Sequence, residues 1–163
     1  MPKKKATKKN LKVNNPSQQQ LGSLLDYYQN GRLNDAEKLA TSICQDFPKH
    51  QFAWKVLGAV LGAIGKKSEA VEANQTAVAL SPQDAEAYSN LGNTLQELGR
   101  LGEAEASYKQ AVALKPDYAE AYNNLGGTLK ELGRLDEALA SYTQAVALKP
   151  DYVGAHNNLG NTL

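Results

Sequence analysis

Residues 85–118 read AEAYSNLGNTLQELGRLGEAEASYKQAVALKPDY, and residues 119–152 read AEAYNNLGGTLKELGRLDEALASYTQAVALKPDY. The two agree at 28 of 34 positions. Self-similarity at a fixed period of this length is the mark of a stacked repeat rather than of a single closed core. One period back, 51–84 (QFAWKVLGAVLGAIGKKSEAVEANQTAVALSPQD) keeps the pattern. Two periods back, 17–50 keeps it only in its second half, and 153–163 begins a fifth unit.

Each unit carries two helical signals. Tyr88, Leu91, Gly92 and Leu95 fall at i, i+3, i+4 and i+7, one face of a helix. Gly99, with Gly31, Gly65 and Gly133 at the same place, suits a helix end that needs positive φ. Asn34, Ser68, Gly102 and Asp136 follow three residues later as expected N-caps of a second helix. That helix puts Ala104, Tyr108 and Ala111 on one face and stops at Pro116, as the others stop at Pro48, Pro82 and Pro150. Asp117 and Glu120 have the spacing of a capping box opening the next unit.

These residues resemble the tetratricopeptide repeat. Its aromatic, Leu-Gly, Leu, Ala, aromatic, Ala and Pro positions are Tyr88, Leu91-Gly92, Leu95, Ala104, Tyr108, Ala111 and Pro116, then Tyr122, Leu125-Gly126, Leu129, Ala138, Tyr142, Ala145 and Pro150. The unit at 51–84 matches except for Asn74 at the second aromatic. The resemblance implies an all-α fold, a right-handed α-solenoid (α-α superhelix) of helix-turn-helix units. The expected division is a disordered basic tail (1–16), a degenerate N-terminal cap repeat (17–50), repeats at 51–84, 85–118 and 119–152, and a partial helix at 153–163. In the cap, Leu21, Leu24, Leu25 and Tyr28 keep the spacing moved by one residue.

Charge divides the chain. Six lysines and no acid occupy 1–16, while the other 147 residues hold 12 basic and 17 acidic side chains, 12 − 17 = −5. The basic tail reads as solvated. Binding to nucleic acid or an anionic membrane finds no support in interleaved aromatics, and docking of the tail on an acidic groove is a third reading. Cys44 is the single cysteine, which excludes an intrachain disulfide and a four-cysteine zinc site. No apolar run approaches membrane-spanning length, and a cytoplasmic location is expected.

Candidate chemistry finds no footing. GAIGKKS (62–68) resembles a phosphate loop, but Lys67 follows Gly65-Lys66 and Val60 stands where the first glycine is required. His50 and His156, the latter expected at an aromatic packing position, belong to no metal spacing. Cys44 stands where other units have Val78, Val112 and Val146 and reads as a small buried hydrophobe. No nucleophile–base pair is recognisable, so the chain is expected not to be an enzyme and to need no cofactor.

The resemblance also implies which positions face the concave groove: Glu86, Ser89, Asn90, Asn93, Gln96 and Glu97 in one unit, Glu120, Asn123, Asn124, Gly127, Lys130 and Glu131 in the next, then Asn157, Asn158 and Asn161. Asn90, Asn124 and Asn158 would form a column whose carboxamides pair with a peptide backbone, similar to the asparagine ladder in the repeat arm of O-linked N-acetylglucosamine transferases. The alternative is that these amides are solvated or tie neighbouring repeats together. A carboxylate clamp known in the family would need Lys55, Ala59, Asn90, Glu120 and Asn124, of which only Lys55 and Asn90 fit. Glu86, Glu97, Glu120 and Glu131 against Lys130 give 1 − 4 = −3, so the expected partner is an extended, neutral to basic, Ser/Thr-tolerant peptide. Phe52, Val56 and Ala59 would add an apolar patch. Leu163 stops inside a helix, as expected of a chain cut short, a short protein associating end to end as a scaffold, or the front of a longer enzyme. Bacterial proteins with similar repeats continue into glycosyltransferase, sulfotransferase or methyltransferase domains, which would make this chain a substrate-docking arm.

Overall fold

A computed structural model describes residues 15–163; the tail expected at 1–16 lies, but for its last two residues, outside the described residues. The helices among them are α1 (Gln18–Gln29), α2 (Leu33–Asp46), α3 (Gln51–Ala63), α4 (Lys67–Leu80), α5 (Ala85–Glu97), α6 (Leu101–Leu114), α7 (Ala119–Glu131), α8 (Leu135–Leu148) and α9 (Val153–Gly160). No strand occurs among the described residues.

The turn inside each pair follows from one glycine. Gly31, Gly65, Gly99 and Gly133 have φ of 70°, 82°, 72° and 76°. This backbone lets Gly99 N donate to Gln96 O (2.8 Å) and Arg100 N to Leu95 O (2.9 Å), closing the last turn of α5. The same pair of bonds recurs at Gly31, Gly65 and Gly133.

Because that turn is so short, the second helix starts earlier than its cap residues suggested. Arg32, Lys66, Arg100 and Arg134 hold the N-cap positions, and none makes a side-chain cap bond. Asn34, Ser68, Gly102 and Asp136 lie already inside the first turn. Three of the caps instead grip the acid three residues on: Arg32 Nε to Asp35 (2.9 Å), Arg100 Nε to Glu103 (2.7 Å) and Arg134 Nε to Glu137 (2.7 Å). The carboxylates then sit against the positive end of the helix. The box expected at Asp117 and Glu120 is not formed either. Tyr118 caps α7 with its backbone alone, and Glu120 turns to Lys149 at 3.1 Å. One unit earlier the cap position is Asp84, which accepts from the N–H groups of Glu86 and Ala87 at 3.0 and 3.1 Å.

Each pair packs on itself and on the first helix of the next pair. The first helices also touch one another in series, α1 on α3, α3 on α5, α5 on α7 and α7 on α9, whereas α2, α4, α6 and α8 do not meet. A stack that brings one row of helices together and spreads the other is curved, with α1, α3, α5, α7 and α9 on the inner side. The result is an all-α repeat solenoid. Small residues set the spacing: Ala104, Ala111, Ala138 and Ala145 are fully buried, and Tyr108 fills the space between α5 and α6. Cys44 is buried.

Candidate functional site

The inner helices carry the amides singled out by the sequence, but not as a column of equivalents. Asn93 is the best held. Its Oδ1 accepts from Tyr108 OH at 2.7 Å and from Asn124 Nδ2 at 3.0 Å, so α5, α6 and α7 meet at one oxygen. Gln96 Oε1 lies 3.2 Å from the same hydroxyl. With Oδ1 doubly engaged, the Asn93 NH2 group is left as a fixed, unused donor among the described residues.

The other amides differ because their neighbours differ. Asn124 reaches back 31 residues to Asn93. The same reach from Asn158 ends at Gly127, which has no side chain, and Asn158 Nδ2 donates instead to Asn123 Oδ1 at 2.9 Å. Asn123 Nδ2 in turn lies 3.4 Å from Asn124 Oδ1. From Asn90 the same reach ends at Ala59, and the Asn90 carboxamide bonds to no described residue; its backbone oxygen accepts from Thr94 Oγ1 at 3.0 Å and from Asn74 Nδ2 at 3.5 Å. The amides therefore tie neighbouring repeats together and still present free groups to the inner face.

Asn93, Gln96, Glu97, Asn124 and Glu131 together line a recess of about 390 Å³. Gln96 Nε2 donates to Glu131 Oε1 at 2.6 Å across it. The remaining carboxylates are mostly neutralised. Glu86 is paired with Lys55, which also holds Asp84 at 3.1 Å. Glu97 lies 3.4 Å from Lys67, and Glu120 lies 3.1 Å from Lys149. Lys130 Nζ donates to Asn161 O at 3.2 Å. With the partners Lys55, Lys67 and Lys149 and the further acid Asp84 added to the five residues that gave −3, the sum is 4 − 5 = −1. Burial pushes Lys55 down, but Glu86 and Asp84 outweigh it and the ammonium is held above its ordinary value.

Three sequence expectations are corrected. Ser89 is only 3% exposed and lies under the Tyr118 hydroxyl, so it cannot face a ligand. Val56 is 6% exposed and belongs to the core, with Phe52 packed against that core, so no apolar patch of Phe52, Val56 and Ala59 stands free. His156 is exposed rather than packed; its Nε2 lies 2.9 Å from Pro150 O, as Trp54 Nε1 bonds Pro48 O at 2.9 Å one end of the array earlier. The sequence reading missed the second role of Tyr108. It was placed only on a helix face with Ala104 and Ala111, and nothing in the spacing of residues 93 and 108 marks the hydroxyl as the anchor of Asn93.

No cluster of three or more metal-binding side chains occurs among the described residues, and none of their helices is long and apolar enough to cross a membrane.

Comparison with solved structures finds the same architecture. The crystal structure of MamA is 26% identical with a TM-score of 0.79, covering 84% of this chain and 80% of that one. YrrB, described as a TPR protein with an unusual peptide-binding site, is 24% identical with a TM-score of 0.79 over 88% of this chain and 73% of its own. The first TPR of Spaghetti (RPAP3), solved bound to the HSP90 peptide SRMEEVD, is 26% identical with a TM-score of 0.67 over 69% of this chain and 89% of that one. No curated protein sequence matches. The tetratricopeptide repeat model matches residues 83–151 and a second TPR repeat model matches 58–99, together more than half of the chain. The nine helices of the described residues, the period and these matches agree: the chain belongs to the tetratricopeptide-repeat family.

Proposed function

We propose that the chain is a protein-interaction module that holds an extended peptide along the inner face of α3, α5, α7 and α9. The observation that carries this is Asn93. Its oxygen is fixed by Tyr108 and Asn124, which aligns its NH2 as a ready donor to a main-chain carbonyl with little ordering left to lose on binding. Asn90, Asn124 and Asn158 supply further free donors and acceptors on the same face, with Asn123 and Asn161 flanking them. A grip on backbone groups reads few side chains, so the partner is defined more by being extended than by its sequence. With most carboxylates paired, charge selects only weakly for a basic partner. The Spaghetti repeat, solved with a peptide, supports the same use of this architecture.

The test is to select dodecapeptides from a random library on the whole chain and compare affinities by fluorescence anisotropy. Asn93→Ala with Asn124→Ala removes two main-chain contacts of about 1 kcal/mol each, a loss of about 30-fold. Helicity should persist. Unchanged affinity in the double variant refutes the role.

A further inference from the structure

Two differences between adjoining repeats fall on one hydroxyl. In the unit at 85–118, Tyr108 OH donates to Asn93 Oδ1 at 2.7 Å and lies 3.2 Å from Gln96 Oε1. One period on, Tyr142 keeps the ring, but Gly127 stands in place of Asn93 and Lys130 in place of Gln96. A glycine brings no side-chain acceptor, and an ammonium only donates. Lys130 is in any case turned to Asn161 O at 3.2 Å. The Tyr142 side chain is 2% exposed, and its hydroxyl bonds to no described residue. Buried polar groups almost always find a partner.

Gly127 leaves the place of that partner open. A Cβ there would lie 3.7 Å from Gln96 Nε2 and 3.8 Å from Tyr142 OH, ordinary van der Waals contact with nothing nearer. The hydroxyl is not sealed from solvent, whereas Tyr108, beneath Asn93, is 0% exposed. Two donors thus converge on one notch in the inner face, the phenol O–H and the Gln96 N–H that Glu131 does not take. Glu131, bonded to the same Gln96 nitrogen, sets a carboxylate acceptor beside them. An aliphatic side chain would leave both donors unpaired, and an ammonium brings no acceptor. An anion would meet Glu131, whose charge, after burial, already pushes the Tyr142 hydroxyl up. A primary carboxamide answers both needs: its oxygen can accept twice, and its NH2 donates. It is also the group that Asn93 places in the preceding unit.

We propose that the notch at Gly127 is a subsite for the side chain of an asparagine or glutamine of the bound peptide, its oxygen accepting from Tyr142 and Gln96 and its NH2 donating to Glu131. This deepens the peptide-binding role proposed above and rests on it. A main-chain carbonyl, flanked by two Cα atoms, is too wide to reach a hydroxyl set this deep; a terminal carboxamide is not.

The probe is acetamide, the carboxamide alone, with N-methylacetamide standing for a main-chain peptide group. Each is titrated into the whole chain with isotope-labelled tyrosine Cζ atoms and followed by NMR, Tyr142→Phe identifying the signal. Acetamide should move the Tyr142 signal and leave that of Tyr108, whose hydroxyl Asn93 already holds. Gly127→Asn restores the repeat's own carboxamide, for which the Cβ has room. It should raise the urea midpoint above that of Gly127→Ala and remove the acetamide response. Dodecapeptides selected on the native chain should share Asn or Gln at one position. Its replacement by Ala should weaken binding about tenfold on the native chain, the worth of one hydrogen bond, and not on Gly127→Asn. Equal responses of Tyr142 to the two amides, or an acetamide response that survives Gly127→Asn, overturn the subsite. Since acetamide needs no peptide, loss of the subsite with dodecapeptides still sensitive to Asn93→Ala is distinguishable from loss of peptide binding itself.

Discussion

Replacing Gly92 with alanine tests how closely the two helices of a repeat are fitted. The added methyl carbon would stand 2.7 Å from Tyr108 Cε1 and 2.9 Å from both Cδ1 and Cζ. Carbon atoms rest about 3.5–4.0 Å apart, so the ring must retreat by nearly 1 Å. Tyr108 has nowhere to retreat: it is 0% exposed and its hydroxyl is tethered to Asn93. Overpacking of this kind costs about 1–3 kcal/mol and breaking the tether about 1 kcal/mol more, against about 1 kcal/mol gained by removing a glycine from a helix. The net expectation is a loss of about 1–3 kcal/mol in urea unfolding followed by circular dichroism. Gly22→Ala is the control, because nothing lies within 4 Å of its Cβ and only the helix gain of about 0.5–1 kcal/mol remains. The two substitutions should therefore shift the midpoint in opposite directions. If Gly92→Ala is neutral or stabilising, close approach is not what requires glycine there.

Further expectations follow from single contacts. Tyr108→Phe removes the hydroxyl that fixes Asn93; it should cost about 1 kcal/mol of stability and weaken dodecapeptide binding, and binding at full strength would separate Asn93 from its anchor. Burial pushes the Asp84 carboxyl up, but the Ala87 N–H, Lys55 and Gln51 outweigh it and hold it below the ordinary value of 3.8. A depressed folded-state pKa gives stability that is complete above the unfolded value and lost as pH falls through the folded one. Urea midpoints should thus decline below pH 3.8 more steeply for the native chain than for Asp84→Asn, and parallel declines would count against the Lys55–Asp84 link. The Cys44 thiol is buried and pushed up to about 12, so an aromatic disulfide reagent should react with it only in urea; rapid reaction of the folded chain would mean that α2 opens.

The elements that were legible in the sequence are those with local causes. Gly99 and its counterparts announce a left-handed turn and Pro116 a stop; both recur every 34 residues and leave little choice. What was not legible depends on which unit stands next door. Ser89 looks groove-facing on its own helix but is covered by Tyr118 from the start of the following unit. Asn90, Asn124 and Asn158 look interchangeable, yet their roles are set by Ala59, Asn93 and Gly127 one unit back. The helix starts at Leu33, Leu101 and Leu135 were misplaced because an arginine bonding an acid three residues on stands at the cap in place of Ser or Asp, and at Lys67 the cap is Lys66, which bonds Glu37 of the preceding pair. Likewise the partners of Glu97 and Glu120 were not legible because Lys67 and Lys149 come from the outer row of helices and its connections.

The claim on which the function stands is that a peptide main chain lies against Asn93 and Asn124. The direct measurement is a titration of the whole chain with a selected dodecapeptide, followed through the side-chain amide signals of its asparagines. Asn93 and Asn124 should move together and saturate at the affinity seen by anisotropy. Saturating shifts confined to α4, α6 and α8, with both of those amides still, would contradict it.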